Sequence, residues 1–148
     1  MLRGDFMKNI IDSTKIYWFD ENCSRTTACG ILDFNNYKDA SDVLFKSLAP
    51  FGEGLGERLI CGSVIGSIAA LSYILSEKGL TEKEISEKAE IFKTAFREEF
   101  GTIHCSELLY PDLKFSDPYP KDPVRLDICT KTVEKSVLEV QKLVESIK

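Results

Sequence analysis

Arg58 to Gly79 reads RLICGSVIGSIAALSYILSEKG, and from Leu59 to Ser76 it carries no charged side chain. A run of about 18 uncharged residues is the lower edge of what a membrane-spanning helix needs. Against that reading stand Ser63, Ser67, Ser72 and Ser76, which dilute the apolar character, and the lack of an aromatic or basic belt framing both ends. Gly62 and Gly66 are four residues apart, a spacing that lets helices cross closely in water-soluble bundles as well as in membranes. The stretch therefore predicts a central buried helix over about Arg58–Lys78, rich in small residues, stopped by Gly79 and not inserted in a membrane.

Helical signals continue on both sides. Upstream, Ile10, Ile11, Ile16 and Tyr17 predict a first helix over Met7–Trp18, and Asn22 is placed to cap a second from Cys23 to about Phe34. Asp39 or Ser41 opens a short third helix that Pro50 stops. The run Phe51-Gly52-Glu53-Gly54-Leu55-Gly56 follows, with glycines at alternate positions that favour left-handed backbone and close approach of chain or ligand. Downstream, Thr81-Glu82-Lys83-Glu84 is a capping box. The helix it starts carries Ile85, Ala89, Phe92, Phe96 and Phe100 on one face and ends at Gly101. Four prolines between Tyr110 and Arg125 predict an extended surface loop over 110–124. A last helix over about Val124–Ile147 buries Val133, Val137, Val140, Val144 and Ile147. Residues 1–8 read as a loose N-terminal extension. The expectation is one all-α domain, 1–148, a bundle of about five to six helices.

Composition bounds the chemistry. The 148 residues are 43% hydrophobic, enough for a real core without staples. A net charge of −5 argues against binding nucleic acid, which needs concentrated Lys and Arg. Five cysteines are about 3% of the chain, below the roughly 8–10% of disulfide-stapled secreted scaffolds. The N-terminus places charges where a signal peptide would be apolar, so a reducing, cytoplasmic setting is expected.

Four of the five cysteines fall near predicted helix starts: Cys23, Cys61, Cys105 and Cys129. A thiol there feels the positive end of the peptide dipoles, which favours thiolate, the nucleophile of redox chemistry and the ligand of soft metals. Cys29, six residues beyond Cys23 on the same helix, is rotated about 120° away and should stand apart. His104 adjoins Cys105 in sequence, but sequence neighbours on a helix point about 100° apart, so a solvated or capping role is expected. The glycine run lacks the Gly-Lys-Ser/Thr of a phosphate loop. It reads instead as a close-packing loop, with Gly54 and Gly56, and Gly62 beyond it, offering backbone contacts to a bound group.

Taken together, Asn22-Cys23, the glycine run, Cys61-Gly62-Ser63-Val64-Ile65-Gly66, the Phe92–Phe100 helix running into Gly101-Thr102-Ile103-His104-Cys105, and Cys129 resemble the C_GCAxxG_C_C family. Its members are small prokaryotic redox-active proteins. The resemblance covers about Ile11 to the C-terminus and departs from the family at Ser63, where the motif has Ala, and at Ser24-Arg25-Thr26. It implies that Cys23, Cys61, Cys105 and Cys129 are the functional set, with Gly62 and Gly66 the motif glycines. The family's frequent proximity to transporter genes implies a link to membrane transporters.

Three functions then stand open. Four thiolates can hold an iron–sulfur cluster used in electron transfer, the first expectation. They can work as thiol–disulfide pairs, with Cys61 the attacking thiol, passing electrons to a redox partner that the sequence does not identify. They can bind zinc without catalysis.

Overall fold

The computed structural model of the chain describes residues 10–20, 22–109 and 123–147 and is all-α. The expected N-terminal extension 1–8 lies outside those residues, as do positions 7–9 of the first predicted helix and 110–122 of the proline-rich stretch. Residues 10–15 are helical (α1), followed by a single tight turn at Trp18–Asp20. Then come α2 (Cys23–Phe34), α3 (Lys38–Ser47), a short turn Ala49–Phe51 and an irregular turn Gly54–Arg58. They are followed by α4 (Gly62–Glu77), α5 (Glu82–Phe100), α6 (Cys105–Leu109) and α7 (Pro123–Glu145).

The caps of α2 and α5 act as read, whereas α3 opens at Lys38 behind Tyr37 with no side-chain cap, so Asp39 and Ser41, expected to open it, lie inside the helix. Asn22 accepts the Arg25 N–H at 3.1 Å, while its own amide donates to Leu48 O at 3.3 Å and Ala49 O at 3.1 Å, tying the end of α3 to the start of α2. Thr81 and Glu84 form the reciprocal capping box, and Gly101 closes α5 in the left-handed region. Phe92, Phe96, Val137 and Val140 are essentially fully buried, with Val133 and Val144 beside them.

Further boundaries need correction: α1 ends at residue 15, short of the expected Trp18, where a separate tight turn begins. α4 begins at Gly62, not Arg58, because Leu59–Cys61 is extended and pairs with Ile103–Cys105 instead. The predicted loop over 110–124 gives up Pro123 and Val124 to α7; proline's fixed φ suits a first helical position, where the missing N–H costs nothing. At 16 residues α4 is about 24 Å long, short of the roughly 30 Å hydrocarbon core of a bilayer. Among the described residues no helix is long and apolar enough to cross a membrane.

Three helices set the architecture: α2, α4 and α7 run parallel. A Cβ built on Gly62 would lie 3.1 Å from the Cys23 Cβ, and one on Gly66 would lie 2.1 Å from Ser24 O and 2.3 Å from Thr27 Oγ1. So α4 lies against α2 backbone to backbone, in register from the first turn. Asn35 donates to Gln141 Oε1 at 2.8 Å, and Cys23 meets Cys129 at the same chain separation, which fixes α2 parallel to α7. Ser63 and Thr132 join α4 to α7 through their hydroxyls at 3.0 Å. One turn on in each helix, Ser67 and Ser136 are buried with hydroxyl oxygens that find no partner among the described residues.

Gly66→Ala should lower stability by about 1–3 kcal/mol, the usual cost of forcing a group into a closed contact, because the clash is with backbone that cannot turn aside. Ser136→Ala should leave the melting temperature unchanged or raise it, since it deletes a buried hydroxyl without a partner. Thermal and urea melts of both variants measure this, and a Gly66→Ala protein as stable as the parent would contradict the close helix approach.

Candidate functional site

The parallel register delivers cysteines to one end of the bundle. Cys23 is the first residue of α2, Cys61 caps α4, Cys105 opens α6, and Cys129 lies in the second turn of α7. All four are buried and all four line one small, partly open pocket of about 20 Å³. Gly62, Thr132, Arg125 and Glu53 share its wall.

Two local devices hold the sulfurs in place. Cys61 N–H donates to Ile103 O at 2.7 Å and Cys105 N–H donates to Leu59 O at 2.6 Å, flanking an antiparallel pairing of Ile60 with His104. Residues alternate faces on an extended segment, so Cys61 and Cys105 occupy the same face of this small ladder. Packing of α2 against α7 sets the other device: Cys23, Cys129 and Val133 form one buried cluster with Trp18 against it.

The electrostatics differ from the expectation of thiols made acidic by helix starts. Cys23 keeps its proton well above the ordinary thiol range, chiefly through the Cys129 side chain beside it, then through burial and the charges that Cys129, Cys61 and Cys105 would carry as thiolates. For Cys61, burial is the largest influence and pushes the thiol up. The amides of Ser63 and Val64 and the Ser63 hydroxyl bond to its sulfur and pull the other way without winning. The helix start does supply donors, but desolvation outweighs them. Ser63, in the place of the motif alanine, thus serves the site, since its hydroxyl reaches both Cys61 and Thr132.

Cys29 stands apart, as its rotation on α2 requires: its thiol is buried against Ser41 O at 3.4 Å and is not in the pocket wall. His104 is half exposed, 3.3 Å from Glu107, with its own N–H bonded to the Thr102 hydroxyl, a capping residue and not a thiol partner. Of the glycines expected to offer backbone contacts, Gly62 lines the pocket, while Gly54 and Gly56 do not. Gly54 accepts the Leu59 N–H at 3.0 Å and leaves no room for a Cβ beside Leu59, so it shapes the turn leading to Cys61. Among the described residues no three His, Cys, Asp or Glu side chains are grouped as a single metal ion would require. No disulfide joins the cysteines.

Sequence reading missed Arg125, Glu53 and Thr132. The available signal for Arg125 was its place in the first turn of α7, one turn before Cys129, where a cation opposes the helix dipole.

A family model described as "Putative redox-active protein (C_GCAxxG_C_C)" matches residues 21–143. Neither the curated proteins nor the solved structures yield a match to the chain.

Alkylation of Cys61, resolved by peptide mass, should show a midpoint above the ordinary thiol value of about 8.5, and Ser63→Ala should move it further up. The sign follows from the donor lost: the hydroxyl favours the thiolate, so its removal favours the proton. A midpoint unchanged in the variant would remove the hydroxyl from the site.

Proposed function

The chain belongs to the C_GCAxxG_C_C family, and from that membership we propose that its four pocket cysteines form the redox centre and act as two pairs, Cys23 with Cys129 and Cys61 with Cys105. The observation that carries this reading is the packing of Cys23 against Cys129 in one buried cluster, inside a pocket that Cys61 and Cys105 also line. Thiols packed in one buried cluster are placed to join as a disulfide. In that step the S–S bond forms, two electrons pass to the oxidant and both thiol protons leave. The attacking sulfur is then Cys129, packed against its resolving partner Cys23, in place of the Cys61 that its helix-start position suggests.

A second reading rests on the same four sulfurs: ligation of an iron–sulfur cluster for electron transfer, two cysteines to each iron of a [2Fe–2S] centre. The cluster would supply one-electron chemistry. The chain's part would be the sulfurs, the amides of Ser63 and Val64 aimed at Cys61, and walls that limit water.

Anaerobically purified protein separates the two. Colourless, iron-free protein that loses two or four thiols per chain to mild oxidant, with Cys23 linked to Cys129 in the peptide map and, where four are lost, Cys61 to Cys105, supports the dithiol reading. Iron and acid-labile sulfide in equal amounts with visible absorbance supports the cluster. Free thiols throughout, without metal, would sink both. Cys29→Ser should behave as the parent in either case.

A further inference from the structure

We infer that the cysteine pocket takes a small hydroperoxide as its oxidant, and that Trp18 is the wall that keeps bulkier disulfides from Cys23 and Cys129. This names the substrate class of the dithiol reading and rests on it.

Access to the sulfurs decides the oxidant. Cys23 and Cys129 are 7% and 6% exposed, and the pocket they share with Cys61 and Cys105 measures about 20 Å³. Roughly 10–15 Å³ of such space holds one water molecule. The pocket therefore has room for the two linked oxygens of a peroxide and for little else. A disulfide reagent reacts through a mixed disulfide, which leaves half of the reagent attached to the attacked sulfur. For oxidised glutathione that half is a tripeptide, which a pocket of this size does not admit. A peroxide leaves a single oxygen on sulfur.

On another side the pair is closed by Trp18. Cys23, Cys129 and Val133 form one buried cluster, and the half-buried indole packs against it. A second small pocket, also of about 20 Å³, has Ile11, Trp18, Thr26, Val133 and Val137 in its wall. Neither cysteine lines that pocket, so Trp18 and Val133, which border it and also pack on the sulfurs, form the partition. Tyr17 holds the indole in place from the neighbouring position. Its hydroxyl bonds to Asp33, its carbonyl accepts the Thr26 hydroxyl at 3.0 Å and its amide donates to Thr14 O at 3.0 Å. Shortening Trp18 would join the second pocket to the cysteines and open another way in.

The oxidation balances with the peroxide alone. Cys129 sulfur takes one OH from the peroxide as the O–O bond breaks, and the other OH leaves as water with the thiol proton. Cys23 sulfur then attacks Cys129 sulfur: the S–S bond forms, the S–O bond breaks, and the hydroxide leaves as water with the Cys23 proton. The two sulfurs together lose two electrons and the peroxide gains them. Protonation of buried thiols slows attack on peroxide and on disulfide alike, since both need thiolate. What separates the two oxidants is room.

The test compares hydrogen peroxide with oxidised glutathione on reduced, full-length protein without oxygen, in native buffer and in urea, with each cysteine followed by peptide mass. The urea sample gives each reagent's rate with unhindered thiols. Folding should slow the loss of Cys23 and Cys129 to oxidised glutathione by roughly a hundredfold, as for groups reached only when a structure opens, and the loss to peroxide by roughly tenfold less than that. Trp18→Ala should raise the oxidised glutathione rate at those two cysteines by roughly tenfold and leave the peroxide rate unchanged. Cys29, buried against Ser41 and outside the pocket, reports any general loosening of the fold. The comparison in the parent decides even if Trp18→Ala fails to fold. Oxidised glutathione that joins Cys23 to Cys129 in the folded parent as readily as peroxide does, or a Trp18→Ala protein in which Cys29 gains as much as the pair, would overturn the inference and leave the dithiol reading standing. Peroxide that joins no cysteines in the folded protein would overturn both.

Discussion

The backbone-to-backbone contact of α2 with α4 is the constraint on which the rest of the molecule depends. It exists because Gly62 and Gly66 present no Cβ to Cys23, Ser24 and Thr27. Helices brought this close cannot slide, since any shift drives a side chain into the other helix's backbone. The contact therefore sets the register as well as the distance. That register places the first turn of α2 beside the first turn of α4, so Cys23 and Cys61 meet the same pocket although 38 positions separate them in the chain. With α7 parallel to both, Cys129 completes the set. Parallel neighbours need connections that return the chain to the starting end. The stretch from α3 through the irregular turn does this before α4, and α5 does it before the Ile60–His104 pairing that admits Cys105.

Much of this was legible in the residues. Asn22, Thr81 with Glu84, Gly101 and the valine stripe of α7 are local signals, each read within a turn or two of the chain, and the fold uses them as written. Gly62 and Gly66 announced a close helix crossing but not its partner, because a missing side chain says that something approaches and nothing about what. The start of α4 was misread for a related reason. Leu59 and Ile60 fit a helix by hydropathy, yet their backbone groups bond to Ile103–Cys105, more than forty residues away in the chain. Periodicity cannot register a pairing of that range.

The site was legible as a set of thiols and not as an environment. Position near helix starts suggested acidic cysteines, and the donors are indeed there at Cys61. Burial was the unseen quantity, because it depends on how α2, α4 and α7 close around the sulfurs, and it reverses the sign for Cys61. Arg125 escaped for the same reason. In sequence it is one arginine beside a proline-rich stretch; only the closed pocket makes its charge conspicuous.

Crowding thiols into a desolvated pocket has a consequence that does not depend on which redox chemistry is used. Each sulfur that ionises raises the cost of ionising the next, as the influence of Cys129, Cys61 and Cys105 on Cys23 makes plain. The fully reduced site therefore holds its protons, and it cannot shed them by simple dissociation. Two ways of removing them lower the accumulated charge: joining sulfurs into a neutral disulfide, or placing positive charge between them. Either way proton release is tied to a redox or ligand event and not to bulk pH. That coupling bears on Cys23, whose proton its three neighbouring thiols hold in place, Cys129 foremost.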